Sequence, residues 1–206
     1  MFKPFDHGAD IVMNSITKLL AGHSDVTAGY VAARDSALTD ACRDAAITWG
    51  LVPSPFDCWL GERGMQSFSL RYERAAQNAA VLADRLAATS GVAKVFYPAR
   101  DDHPDAEVAQ RLFGQSGGTM VAFEIEGGRD AANRLVRAIP EMPFAPTLGD
   151  IATTVAHPAS SSHRGLTEQA RADLGIFEGT FRLSVGVEDI EPLAEGLVGA
   201  IAQAVT

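Results

Sequence analysis

Runs of apolar residues alternate with polar turns over the first fifty residues. The run IVMNS (residues 11–15) is continuous, which is typical of an interior strand with neighbours on both sides. TAGYVAA (27–33) predicts a second short strand, and SALTDACRDAAITWG predicts a helix with Ser36 as its N-cap and Gly50 just beyond its end. Because an interior strand stands so near the first residue, we expect the sequence to begin within a domain.

A long and largely helical stretch covers residues 56–91. Gly61 and Gly64 are expected to divide it into two helices, and Gly91 is expected to end it. Helical spacing is kept by the apolar residues Leu70, Ala75, Ala79, Leu82 and Leu86. We expect these helices to link the first strands to a second domain.

From residue 92 onward, strand and helix patterns alternate. Strands are predicted at VAKVFYP, GGTMVAFEIEG, IATTVAHP and GTFRLSVGVE. Helices are predicted at PDAEVAQRLFG, RDAANRLVRAI and DIEPLAEGLVGAIAQAV, and ASSSHRGLTEQARADLG is expected to be a polar loop. Strands mixed with amphipathic helices predict an α+β sandwich from about residue 90.

Composition narrows the classes of function. The 206 residues carry a net charge of -9 and are 47% hydrophobic, which argues for a globular core and against a nucleic-acid partner. No apolar stretch approaches the roughly 20 residues of a membrane helix, and we expect no membrane partner. Cys42 and Cys58 are too few for a disulfide framework, so a cytoplasmic location is expected. Cys58 is expected to fill a core position.

Lys18 is one of three lysines and directly follows the first predicted strand, near Ser15 and Thr17. A lysine amine can form a Schiff base with a carbonyl cofactor, and neighbouring hydroxyls can donate to a cofactor phosphate. Taken alone, the Ser-x-Thr-Lys pattern is weak, and composition favours a surface lysine in a polar loop.

Three segments that follow one another along the chain make that pattern more specific. They are GADIVMNSITKLLAGHSDVTAGYV, SPFDCWLGERGMQSFSLRYERAAQNA, and LGDIATTVAHPASSSHRGL followed by GIFEGTFRLSVGVEDIEPL. Together they resemble the Cys/Met metabolism family of pyridoxal-phosphate enzymes, over almost the whole chain. The family includes cystathionine γ-synthase, cystathionine β- and γ-lyases, methionine γ-lyase and O-acetylhomoserine sulfhydrylases.

The resemblance assigns residues to the site. It implies that Lys18 forms the Schiff base with pyridoxal 5'-phosphate and that Ser15 and Thr17 contact the cofactor phosphate. The arginine of RLSVG, Arg182, is implied to bind the substrate carboxylate at two points, a geometry that lysine cannot copy. The family's Ser-Leu-Gly loop, assigned to substrate binding, appears here with Thr147 in place of the serine.

Other polar residues of these motifs have structural interpretations. Residues 22–25 (Gly-His-Ser-Asp) are expected to shape the loop after Lys18, and without the family match Arg182 is an ordinary ion-pairing residue. His157 and His163 are six residues apart across a proline, which is not an established metal spacing, so a loop role is expected. Asp57 and Arg63 are expected to stabilise the helical connection.

The resemblance also implies a fold and an incomplete site. It implies an α/β chain: residues 1–88 end the large cofactor-binding domain of an aspartate-aminotransferase-like (fold type I) enzyme, and residues 89–206 form a C-terminal α+β domain. In the family, the preceding half supplies the aspartate that pairs with the cofactor ring nitrogen. We therefore expect a lyase or transferase of sulfur amino acids, partnered as a homo-oligomer or with a separate N-terminal half. The alternative is a catalytically incompetent remnant with a role in assembly.

Overall fold

The computed structural model describes residues 2–206. The chain divides into two compact units, the first ending at Ser69 and the second comprising Leu70–Thr206. No helix in the described part of the chain is long and apolar enough to cross a membrane.

The first unit contains a two-stranded antiparallel sheet. Strand β1 (Ile11–Ser15) pairs with β2 (Gly29–Ala33), and within residues 2–206 neither strand has another neighbour in its sheet. Met13 on β1 is 76% exposed. The prediction of an interior strand is therefore wrong for this structure. The run IVMNS shows that the strand carries apolar side chains, but it does not show whether anything covers them. In a two-stranded sheet most of them stay exposed.

Side-chain bonds fix the starts of helices α1 (Ser36–Thr48) and α2 (Pro55–Met65). The N-cap of α1 is Asp35, whose carboxylate accepts the Leu38 N–H at 2.8 Å, and not Ser36 as predicted. Aspartate and serine are both good caps, and the sequence places them side by side.

Helix α2 begins with a reciprocal pair of bonds. The hydroxyl of Ser54 accepts the Asp57 N–H at 3.1 Å and donates to the Asp57 carboxylate at 2.7 Å. This bond pattern confirms the structural role expected of Asp57. Arg63 lies over the Trp59 ring, 5.9 Å from its centroid, which is a contact within the same helix.

The break between α2 and α3 (Phe68–Ala87) falls after Met65 and not at Gly61 or Gly64. Both glycines lie inside α2 and are buried. A Cβ atom on Gly64 would lie 2.4 Å from the Ala21 carbonyl oxygen, which only a residue without a side chain avoids. The predicted division into two helices is therefore confirmed, but its predicted position is wrong, because these glycines serve close packing.

The prediction that Cys58 fills a core position is wrong. Cys58 lies on the exposed side of α2, and the buried residues of that helix are Gly61 and Gly64. Cys42 is half-buried, and both thiols are free.

The second unit is the α+β sandwich that the sequence predicts. Its antiparallel sheet has the strand order β3-β4-β6-β5, with bounds β3 Val92–Phe96, β4 Met120–Ile125, β5 Thr154–Ala156 and β6 Thr180–Ser184. Its further helices are α4 Ala106–Phe113, α5 Gly128–Ala138, α6 Glu168–Asp173 and α7 Ile190–Val205. Helix α6 lies within the predicted polar loop, since six residues are too few to show helical periodicity.

One apolar core joins the sheet to α3, α5 and α7. Phe123 on β4 stacks on Phe181 on β6, with ring centroids 5.5 Å apart. The buried helical side chains include Leu82, Leu86, Leu135, Leu197 and Ile201. Because Phe181 and Leu183 face this core, Arg182 and Ser184 lie on the opposite face of the sheet.

Candidate functional site

Lys18 lies in a short π-helical turn, Ile16–Leu20, that directly follows β1. The Ala21 N–H bonds the Ile16 carbonyl at 2.9 Å, and the Gly22 N–H bonds the Lys18 carbonyl at 2.8 Å. Lys18 itself has non-helical backbone angles, with φ -86° and ψ -132°. A turn this irregular does not gain a regular helix's repeating bonds, so outside contacts must hold its shape.

Thr17 ties the start of the turn to Ala28, the residue before β2. The Thr17 N–H and hydroxyl both donate to the Ala28 carbonyl at 3.2 Å, and the hydroxyl oxygen accepts the Ala28 N–H at 3.0 Å. The hydroxyl proton of Thr17 is therefore directed to the main chain. The phosphate contact implied for Thr17 stays a prediction, and the observed role is that of an anchor.

Ser15 and Lys18 present polar groups without a partner among residues 2–206. Ser15 ends β1 opposite Gly29, and its hydroxyl makes no hydrogen bond there. The Lys18 amine makes neither a hydrogen bond nor an ion pair, and both residues are half-buried. An available amine and an available hydroxyl donor, three residues apart, suit attachment to a carbonyl group and binding of a phosphate.

The loop after the lysine bends as the sequence predicts. Gly22 and Ser24 have positive φ angles of 76° and 55°. The His23 ring donates from Nδ1 to the Ala21 carbonyl at 2.7 Å, which fixes the tautomer in this structure. The loop-shaping role of this segment is confirmed.

Arg182 lies on the face of the second unit's sheet that is turned away from the core. Its Nη2 donates to the Thr147 carbonyl at 3.0 Å, while its Nε is buried without a hydrogen-bond partner among the described residues. Thr154 leaves a second buried polar atom, its hydroxyl, unpartnered on the same face, since Thr154 pairs with Ser184 in the sheet. A guanidinium with unused donors is suited to bind a carboxylate.

Two bonds hold residues 147–149 beside this face. One is the Arg182–Thr147 bond, and in the other the Gly149 N–H donates to the Ser184 hydroxyl at 2.9 Å. The structure therefore brings Thr147 and Arg182 together, through the main chain of Thr147. Sequence reasoning misses Ser184, although it stands two residues after Arg182 and a strand's period of two puts both on one face.

His157 is a buried residue that fastens the loop after β5. Its Nε2 donates to the Glu178 carbonyl at 2.8 Å, and its Nδ1 accepts from the Ser160 hydroxyl at 2.7 Å. Burial lowers the pKa of His157, and the bond to the Glu178 carbonyl offsets part of that effect. These bonds confirm the loop role of His157, while His163 is half-buried.

Glu178 is clamped by two arginines beside this loop. Arg129 Nε and Arg171 Nη2 each lie 2.5 Å from a carboxylate oxygen of Glu178. Partial burial acts to raise the pKa of Glu178, but the two guanidinium groups outweigh it and leave that pKa lowered. Residues 2–206 contain no group of three or more His, Cys, Asp or Glu side chains that could hold a metal ion.

Known proteins match the chain over nearly its full length. The sequence model of the Cys/Met metabolism PLP-dependent enzyme family matches residues 1–202. Cystathionine gamma-lyase of Saccharomyces cerevisiae is 37% identical over 203 residues, which are 98% of this chain and 52% of that protein. L-methionine gamma-lyase of Pseudomonas putida is 42% identical over 193 residues, covering 93% and 48%. The chain spans about half the length of the curated relatives it matches.

Solved structures show the same correspondence. Yeast cystathionine gamma-lyase superimposes with a TM-score of 0.95 at 36% identity, over 100% of this chain and 53% of the yeast chain. Cystathionine gamma synthase from Xanthomonas oryzae pv. oryzae, in complex with aminoacrylate and cysteine, gives 0.92 at 38% identity, over 98% and 52%. The fold is thus that of the fold type I pyridoxal-phosphate enzymes. Within this class, the chain belongs to the Cys/Met metabolism PLP-dependent enzyme family.

Proposed function

We propose that this chain supplies the cofactor-bearing lysine and the carboxylate-binding arginine of a lyase or transferase of trans-sulfuration metabolism. The reaction is β- or γ-elimination, or γ-replacement, on cysteine, cystathionine, methionine or an O-acyl-homoserine. The observation that carries the proposal is the family match, which includes both Lys18 and Arg182. Each keeps side-chain donors without a partner in the described chain. The comparisons do not favour the alternative of an inactive remnant.

Pyridoxal 5'-phosphate is the cofactor of the family, and the residues of the Lys18 turn fit it. Lys18 offers the amine for attachment, Ser15 offers a donor to a phosphate oxygen, and Thr17 holds the turn in place. When bound, the cofactor supplies an electron sink that stabilises negative charge at the substrate Cα.

The chain's own residues then have distinct tasks. Arg182 binds the substrate carboxylate and so sets which bond at Cα is presented for cleavage. Thr147 keeps the guanidinium in place through its carbonyl oxygen. Lys18, once its amine is free, carries a proton at Nζ between Cα and the neighbouring carbons.

The first unit also supports a protein partner. Large apolar side chains are exposed on β1, β2 and the region after α1: Met13, Val31, Trp49, Leu51 and Val52. All of these except Trp49 line an open groove of about 1030 Å³ beside β2 and α1. Exposed apolar surface of this extent marks an interaction site. We propose that polypeptide equivalent to the other half of the relatives covers it, in the cytoplasm, where the two free thiols stay reduced.

A spectroscopic test addresses the cofactor. Pyridoxal 5'-phosphate is added to the chain alone and to the chain with the complementary half of the Pseudomonas putida relative. We expect visible absorption that is lost in Lys18→Ala and kept in Lys94→Ala, whose lysine lies over the Phe96 ring. Absorption that survives in Lys18→Ala would contradict the proposal.

A second measurement addresses the partner. Size-exclusion chromatography with light scattering should show an equimolar complex of the two polypeptides. A stable dimer of this chain that does not take up the other polypeptide would instead identify a second copy as the partner and refute the proposed one.

A further inference from the structure

We propose that Gly64 is a positioning residue for Lys18, an inference that rests on the proposed role of that lysine. Gly64 is buried within α2, and a Cβ atom there would lie 2.4 Å from the Ala21 carbonyl oxygen, 2.7 Å from its Cα and 2.9 Å from its carbonyl carbon. These are main-chain atoms, which cannot rotate aside as a flexible side chain can. The backbones of α2 and of the Lys18 turn therefore touch because residue 64 has no side chain.

Ala21 links this contact to the lysine. It is 1% exposed, and its N–H closes the turn on the Ile16 carbonyl, while the next N–H, of Gly22, bonds the Lys18 carbonyl. Its own carbonyl accepts from the His23 ring. A displacement of Ala21 is thus transmitted to Lys18 through hydrogen bonds that span only four or five residues.

Two anchors hold the irregular turn from opposite ends. At its start, Thr17 bonds Ala28, and at its end, Gly64 packs on Ala21, with Lys18 between them. Glycine is a poor helix former, so its place inside α2 runs against helix propensity. The contact with Ala21 supplies the physical reason for it.

Gly61 provides a matched comparison one helical turn earlier. A Cβ atom on Gly61 would lie 3.2 Å from Cγ2 of Ile16, which is a side-chain methyl group that can give way. Alanine at 61 is therefore tolerated where alanine at 64 is not. The two glycines differ in what they touch, and only Gly64 touches main chain.

The three lysines of the chain, Lys3, Lys18 and Lys94, allow an internal reference. Trace acetylation with acetic anhydride, read by mass spectrometry, gives the rate at Lys18 relative to the other two. In Gly64→Ala, we expect that ratio to rise about threefold or more and amide exchange at Ala21 and Gly22 to quicken about tenfold, since overpacking opens the turn. In Gly61→Ala, both should stay within about twofold of wild type.

Each outcome decides the inference. Wild-type values in Gly64→Ala, with α2 still protected, overturn it. Protection lost throughout β1 and β2 overturns it as well, because Gly64 would then serve the fold of the first unit as a whole. Reduction of added pyridoxal 5'-phosphate onto lysine tests the proposed function separately. If borohydride attaches no pyridoxal phosphate to Lys18 of the wild-type chain, the proposed function is wrong. The acetylation experiment on Gly64→Ala is interpreted independently of that result.

Discussion

Thr147 and Arg182 interact through an atom that every residue type provides. Arg182 Nη2 donates to the main-chain carbonyl of residue 147, so a threonine holds the guanidinium as a serine would. The departure from the family's Ser-Leu-Gly loop leaves this anchor intact. Arg182 is less replaceable, because lysine lacks the buried Nε donor and the planar fork that matches a carboxylate.

At the scale of single residues, the buried ring of His157 makes the stability of the protein depend on pH. Its pKa is lowered by burial, so the unfolded chain takes up a proton below about pH 6.5 while the native ring resists. Protonation of Nδ1 would also displace the hydrogen bond that it accepts from Ser160. The free energy of unfolding should therefore fall as the pH drops from about 6.5 toward the lowered pKa, by at most about 1.4 kcal/mol per pH unit.

His157→Gln removes this contribution and leaves the carboxylates unchanged. Urea unfolding followed by circular dichroism between pH 7.5 and 5.5 should give a shallower pH slope for the variant than for wild type. The variant's lower stability at every pH is not the test, because the lost bonds to Ser160 and Glu178 cause it. Parallel slopes would show that His157 does not titrate differently in the two states.

At the scale of elements, two neighbouring residues, Asp35 and Ser36, are candidates for the N-cap of α1. Asp35 accepts the Leu38 N–H, whereas Ser36 is the first residue of the helix. Asp35→Ala should destabilise the first turn of α1 by about 1 kcal/mol, while Ser36→Ala should be close to neutral. Amide exchange at Leu38 measures both variants. Faster exchange in Ser36→Ala than in Asp35→Ala would assign the cap to the serine.

The sequence predicts a helix or strand correctly where the element packs on a core, because the core requires apolar residues at regular spacing. The strands and long helices of the second unit appear as predicted because their apolar side chains meet in one core, as Phe123 and Phe181 do. In the first unit, the predictions for β1 and Cys58 are wrong because apolar character does not reveal what covers a side chain. The sequence predicts a helix break at Gly64 because glycine is typical both of helix ends and of positions where two backbones pack closely.

Motifs in the sequence nominate the residues of the candidate site, and their roles stay predictions, whereas their contacts are visible only in the structure. Lys18, Ser15 and Arg182 follow from motifs that stand in the sequence. The bond from Arg182 to Thr147 crosses 35 residues and depends on how a loop lies beside the sheet. The engagement of the Thr17 hydroxyl by Ala28 likewise depends on the return of the chain from residue 20 to β2. Neither the loop path nor the hydrogen-bond partner is encoded in a local pattern.

At the scale of the whole molecule, buried apolar surface is distributed unequally between the two units. The core cluster runs from Ala79 to Ala204 and lies in the second unit. In the first unit, Ala21 and Val26 are the buried apolar side chains of the described residues. Since burial of apolar surface is the main favourable term in folding, the first unit has the smaller local stability when the chain is alone.

Hydrogen exchange of the isolated chain measures this difference directly. Amides of β1 and β2 should exchange at least about tenfold faster than amides of β4 and β6, because local opening of the first unit exposes little that was buried. When polypeptide equivalent to the other half of the relatives is added, protection should rise in β1, β2 and α1 and stay unchanged in β4 and β6. Binding to the folded form stabilises the unit that carries the binding surface, so this asymmetry locates the surface. Equal protection of both sheets in the isolated chain would mean that the exposed apolar side chains of the first unit do not limit its stability.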